Sequence, residues 1–125
     1  GKVCADVREV DFGRWEGLSF AEIAAADSGL VDRWAAGDPS FAFPGGEALL
    51  DFRQRVSAAW EMLCGMDGDC LLAISHGGVI RHLLCLALGL PWEKHLLFDI
   101  GLASCTTLTL YSAGAVLTGL NRTGV

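Results

Sequence analysis

The chain has 125 residues, 52% of them apolar and 19% charged, with nine basic and fifteen acidic side chains. That length is one domain's worth, and the apolar share excludes an intrinsically disordered segment. A net charge of −6 is the wrong sign for a module that grips nucleic acid by neutralising phosphates. No apolar run approaches the roughly 20 residues that span a bilayer, and no signal-peptide pattern opens the chain. The five cysteines, Cys4, Cys64, Cys70, Cys85 and Cys105, are odd in number and scattered. They contain no C-x-x-C, which points to a reducing, cytoplasmic compartment rather than a disulfide frame or a zinc site.

In chain order, Ser19-Phe20-Ala21-Glu22 fits a capping box, so a helix is predicted from Ser19 through Ile23 and Ala26. Asp27-Ser28-Gly29 interrupts it, and a second short helix, Leu30 to Ala36, stops at Gly37. Residues 37 to 46 carry two prolines and three glycines, which forbids a regular element and predicts a loop with Phe41 and Phe43 in it. From Glu47, Leu49, Phe52, Val56, Ala59, Trp60 and Leu63 recur at helical steps, and Gly65 to Asp69 closes that helix. The apolar run Cys70 to Ser75 predicts a strand buried on both faces. Gly77-Gly78 then opens a helix, Val79 to Leu88, stopped by Gly89 and Pro91. Thr106 to Tyr111 alternates and is β-branched, a further strand that Ala115 to Thr118 would follow. Helices followed by strand–helix–strand predict an α/β fold with a partly parallel sheet.

Two stretches carry candidate chemistry. In Ile74-Ser75-His76-Gly77-Gly78-Val79-Ile80-Arg81 a strand ends, two glycines turn the chain and a helix begins. Ligands collect at the carboxyl ends of strands in open α/β sheets. There the free amides and positive end of the following helix suit an anion, with His76 as a donor at the lip. Such a joint alone also serves simply to turn the chain. The second stretch, Arg8 to Leu18, is dense in carboxylates, aromatics and glycines. A buried acid beside an anion can protonate a leaving alkoxide, although taken alone the same stretch reads first as a solvated loop anchored by Phe12 and Trp15. Arg81 and His82 fall inside the helix body, which makes His82 a packing or surface residue. His76, His82 and His95 lack metal-ligand spacing. G-x-S-x-G and the triphosphate-binding P-loop are both absent from the sequence, which sets aside two common hydrolase classes.

Taken together, Glu9 to Leu18, Pro44-Gly45-Gly46-Glu47, Ser75 to Arg81 and Ala103-Ser104-Cys105-Thr106 resemble, in that order, the histidine phosphatase (phosphoglycerate mutase-like) superfamily. Trp34, Asp38-Pro39 and Pro44 to Glu47 give the chain its look of the α-ribazole phosphatases of cobalamin synthesis. The resemblance implies a three-layer α/β/α fold, with residues 1–125 as the C-terminal portion of a single domain lacking the N-terminal central strand. Members start with an Arg-His-Gly signature that supplies the nucleophilic histidine, and this sequence contains none.

The roles the resemblance implies are specific. Glu9 is the proton donor and later the base, while His76 holds the transferring phosphoryl group, with the backbone of Gly77 and Gly78 completing the cradle. Phe12, Trp15 and Phe43, the last within the Phe41 to Gly46 loop, border the leaving group. The implied reaction is phosphomonoester hydrolysis through a phosphohistidine on a small phosphorylated metabolite such as α-ribazole 5′-phosphate. It uses no metal or other cofactor, no nucleic acid and no membrane. The alternatives are a phosphoglycerate mutase-type transferase and a non-catalytic phosphate-binding fragment. Without its nucleophile segment the isolated chain is expected to be inactive. Its sheet edges and apolar surface, consistent with a mean hydropathy of +0.42, call for self-association or a further segment.

Overall fold

The computed structural model describes residues 1–124. Its residues fall into two units, Val10–Arg55 on one hand and Gly1–Glu9 with Val56–Val125 on the other.

In the first unit, α1 spans Phe20–Ala35, and its start is the capping box foreseen in the sequence. Ser19 Oγ accepts the Glu22 amide at 3.2 Å, and the Glu22 carboxylate accepts the Ser19 amide at 3.2 Å. Two first-turn donors that the helix leaves without partners are thereby satisfied. The predicted interruption is present as a kink: Asp27 leaves helical geometry at φ −137°, ψ 45°. The Asp27 carboxylate accepts the indole N–H of Trp15 at 2.9 Å, so the kinked residue is also an anchor.

The loop before α2 (Leu49–Cys64) is clasped to the segment around Gly13. Arg14 donates to the Pro44 carbonyl at 2.8 Å, and Glu47 donates to the Asp11 carbonyl at 3.0 Å. Glycine is required at both contact points. A β-carbon on Gly46 would collide with the Asp11 carbonyl and lie 2.7 Å from the Gly13 nitrogen. Gly13 itself sits at φ +56° and faces the Pro44 carbonyl, a conformation that side chains resist. Two sequence motifs over thirty residues apart are thus the two halves of one backbone clasp. Glu47 finishes it with a buried, two-pronged pair to Arg55: Nε to Oε2 at 2.8 Å and Nη2 to Oε1 at 3.0 Å. The rings of Phe41 and Phe43 pack edge to face at 5.0 Å between centroids.

In the second unit, α3 spans Gly77–Leu88 and buries Val79, His82, Leu83, Leu84 and Cys85. It ends at Gly89 in the left-handed conformation, φ 67°, the usual stop. A 3₁₀ stretch, Trp92–Leu97, packs against it. His82 is indeed a packing residue: its ring stacks on His95 at 4.4 Å, and Nδ1–H donates to the Gly78 carbonyl at 2.8 Å.

The sheet departs from expectation in two ways. The strands β1 (Cys105–Tyr111) and β2 (Gly114–Arg122) pair antiparallel, with Leu108 opposite Leu117. Two residues join them, a connection that fits a hairpin and forbids a parallel pair. The partly parallel sheet is therefore absent among the described residues. The run Cys70 to Ser75 forms no strand. Its apolar side chains are exposed, Leu72 at 79% and Ile74 at 85%. Apolar composition marks a segment fit for a buried strand, yet a strand forms only where a neighbour takes up its backbone groups. Among the described residues no strand does so.

Candidate active site

The cradle of the second unit is built around the start of α3. His76 is its N-cap, extended at φ −125°, ψ 158°, and its imidazole makes no capping bond to the helix. Its carbonyl accepts the Ile80 amide at 2.9 Å, so the backbone joins the helix while the exposed ring stays available. The first-turn amides lack ladder partners, and the helix dipole adds positive potential there.

Glu9 lies against this turn. The Gly78 amide donates to Glu9 Oε2 over a long 3.4 Å. Gly78 has to be glycine for this approach, since a β-carbon would lie 2.6 Å from Glu9 Oε1. A second tie holds the two segments together: the Ser75 hydroxyl donates to the Val7 carbonyl at 2.6 Å. Ser75 precedes His76 and Val7 lies two residues before Glu9, so this bond sets the acid and the histidine-bearing turn in register. Sequence reasoning gave Ser75 no role, because nothing local marks a contact across 68 residues.

Arg81 also reaches this turn. Side chains on a helix tilt toward its N-terminus, so residue i+4 leans back over residue i. Arg81 leans over Gly77, and a β-carbon there would lie 3.0 Å from Arg81 Nη1. Its Nε–H donates to the Phe98 carbonyl at 3.0 Å. The sequence held the signal, an arginine four residues after a glycine at a helix start, although position within the helix body argued against it.

Of the residues expected to work together, Glu9, His76, Gly77 and Gly78 fall in one unit and share this turn. Phe12, Trp15 and Phe43 fall in the other and form one aromatic cluster. Phe43 meets Phe12 at 5.2 Å and Trp15 at 5.6 Å, both edge to face. Trp15 is 5% exposed and Phe43 is 3% exposed, so they serve chiefly as packing beneath Phe12, which keeps part of its ring at the surface. No helix among the described residues is long and apolar enough to cross a membrane.

Comparison with known proteins defines the class. The profile of the histidine phosphatase superfamily (branch 1) matches residues 2–123, and the chain belongs to that family. It is 40% identical over 125 residues to a bifunctional protein of Mycobacterium tuberculosis, covering 95% of this chain and 33% of that protein. Among solved structures it resembles the α-ribazole phosphatase of Shigella flexneri, with a TM-score of 0.77 and 26% identity over 98% of this chain and 62% of that one. It also resembles a mycobacterial glucosyl-3-phosphoglycerate phosphatase bound to inorganic phosphate, with a TM-score of 0.74 and 27% identity over 98% and 65% of the two chains. The mixed helix-and-strand structure with its small sheet has the phosphoglycerate mutase-like fold of these neighbours. The chain spans a third of the length of the mycobacterial relative and less than two thirds of the solved phosphatases.

Proposed function

We propose that the protein containing this chain is a phosphomonoesterase acting on a small phosphorylated metabolite, with Glu9 and His76 as its catalytic side chains. The observation that carries the reading is Glu9 held on the Gly78 amide, beside His76, at the start of α3. Residues 1–125 would be the C-terminal portion of the catalytic domain, and a histidine nucleophile would come from chain outside them.

The chemistry follows from the charges. A phosphoryl dianion entering the cradle competes with Glu9 for the α3 amides. As the P–O bond to the leaving group breaks, protonated Glu9 gives its proton to the departing oxygen, and the phosphoryl group passes to the nucleophilic histidine. The resulting carboxylate then takes a proton from water as that water attacks phosphorus, releasing phosphate. His76 and the Gly77 and Gly78 amides offer fixed donors to the equatorial oxygens, where charge builds in the transition state. This chemistry asks for no metal. An α-ribazole phosphate is one candidate substrate, supported by the likeness to the Shigella phosphatase.

The test is turnover of p-nitrophenyl phosphate by the parent protein and by residues 1–125 alone. The parent should turn over and the isolated chain should not. Glu9→Gln should lower kcat about a hundredfold or more with an alkyl phosphate, whose leaving oxygen needs the proton. His76→Ala should cost about 10²–10³ in kcat. An inactive parent, or activity indifferent to both substitutions, would overturn the reading.

A further inference from the structure

We infer that Arg81 is a phosphoryl-binding residue of this site, a refinement that rests on the phosphomonoesterase reading above. Three observations support it. Its Nε–H is fixed on the Phe98 carbonyl at 3.0 Å, which removes much of the freedom an arginine loses on binding. Its Nη1 lies against Gly77, 3.0 Å from where a β-carbon would be, on the residue that follows His76. Among the described residues Nη1 and Nη2 make no hydrogen bond to the protein, so the outer edge of the guanidinium remains available to a ligand.

The electrostatics need such a group. The chain carries a net charge of −6, and the cradle already holds the Glu9 carboxylate on the Gly78 amide. A dianion brought there meets repulsion that backbone amides and an imidazole donor only partly offset. A guanidinium stays charged at every working pH, and its paired N–H groups match two phosphoryl oxygens. Gly77 gains a reason as well: without a side chain it lets the arginine lie close to the turn that carries His76.

The experiment compares Arg81→Gln with Arg81→Lys in the parent protein. Both replace the guanidinium that bonds to Phe98, and only lysine keeps the charge. Binding of inorganic phosphate is measured by calorimetry, beside kcat and KM for p-nitrophenyl phosphate and the melting temperature. Arg81→Gln should weaken phosphate binding and raise KM about tenfold or more. Arg81→Lys should stay within about threefold of the parent. Equal losses in the two variants, or a lowered melting temperature with phosphate affinity unchanged, would assign Arg81 to holding the Phe98 segment and overturn the inference. A parent that binds phosphate in an Arg81-dependent way without turnover would leave this inference standing and remove the hydrolytic reading. A parent that does neither would end both.

Discussion

The stretch Val10–Arg55 and the stretch Cys70–Arg81 are both motif-bearing, and the structure treats them differently. In the first, almost every distinctive residue is spent on the fold. Ser19 and Glu22 close a helix end on each other, Gly13 and Gly46 let two backbones touch, and Glu47 grips Arg55. In the second, apolar side chains stand exposed in a run that forms no strand, and among the described residues a histidine ring and two arginine nitrogens make no hydrogen bond to the protein. The lesson is that similarly dense sequence motifs can have opposite purposes. Groups that satisfy one another specify structure, and groups left available at a helix start are available to a ligand.

That contrast implies separable responses to substitution. Damage to the first stretch should lower stability while sparing chemistry per folded molecule, and damage to the second should do the reverse. The largest effect is expected from Arg55→Leu. It leaves the Glu47 carboxylate buried with its cation gone, and removing one member of such a pair costs about 3–5 kcal/mol. Urea denaturation should show that loss. A cost below about 1 kcal/mol would mean that the Glu47–Arg55 pair does not hold the clasp.

Next in size is Gly78→Ala in the cradle. The new methyl would sit 2.6 Å from Glu9 Oε1, so the carboxylate has to move from the Gly78 amide. Misplacement by about 1 Å can cost on the order of a hundredfold in rate, and we expect that loss in kcat with little change in melting temperature. Full activity would show that Glu9 works from another position. Ser19→Ala is a smaller test of the first stretch. It removes one side of the capping box and should cost about 1 kcal/mol, with kcat unaltered.

How much of this was legible in the sequence depends on how local the interaction is. The capping box, the break at Asp27, the α3 stop at Gly89 and the Thr106–Tyr111 strand all depend on neighbours within a few residues, and each stands where the pattern put it. Cys70–Ser75 was misjudged because apolar composition reports fitness for burial, whereas a strand also needs a partner from elsewhere in the chain. The clasp was invisible for the same reason: Gly46 is explained by the Asp11 carbonyl and the Gly13 backbone, both more than thirty residues away. His76 was legible from the strand–glycine–helix joint and Glu9 as one of several acids in its stretch, their specific roles came from resemblance, and their approach depends on the Ser75–Val7 bond, which has no sequence signature. Arg81 was set aside on its position in a helix, although helical tilt is what carries it back to the cradle.

The smallest predicted effect bears on the first stretch and isolates one surface pair. A hydrogen bond from Arg33 at 2.8 Å, with Ser40 donating as well, lowers the Asp38 carboxyl from 3.8 to about 2. A carboxyl whose pKa is lower in the folded state contributes stability that is fully present above its unfolded value. That contribution is lost as pH falls from about 4 through about 2. Asp38→Asn should therefore melt slightly below the parent at neutral pH, and the gap should close as the acid limit is approached. The pair is exposed to solvent, so screening keeps the gap small and added salt should narrow it further. Kinetic constants should be unmoved at every pH, because all the groups this substitution disturbs belong to the self-satisfied stretch. If Asp38→Asn instead changed KM, the Arg33–Asp38 corner would be part of the substrate's surroundings, and the division between a structural stretch and a ligand-facing one would have to be redrawn.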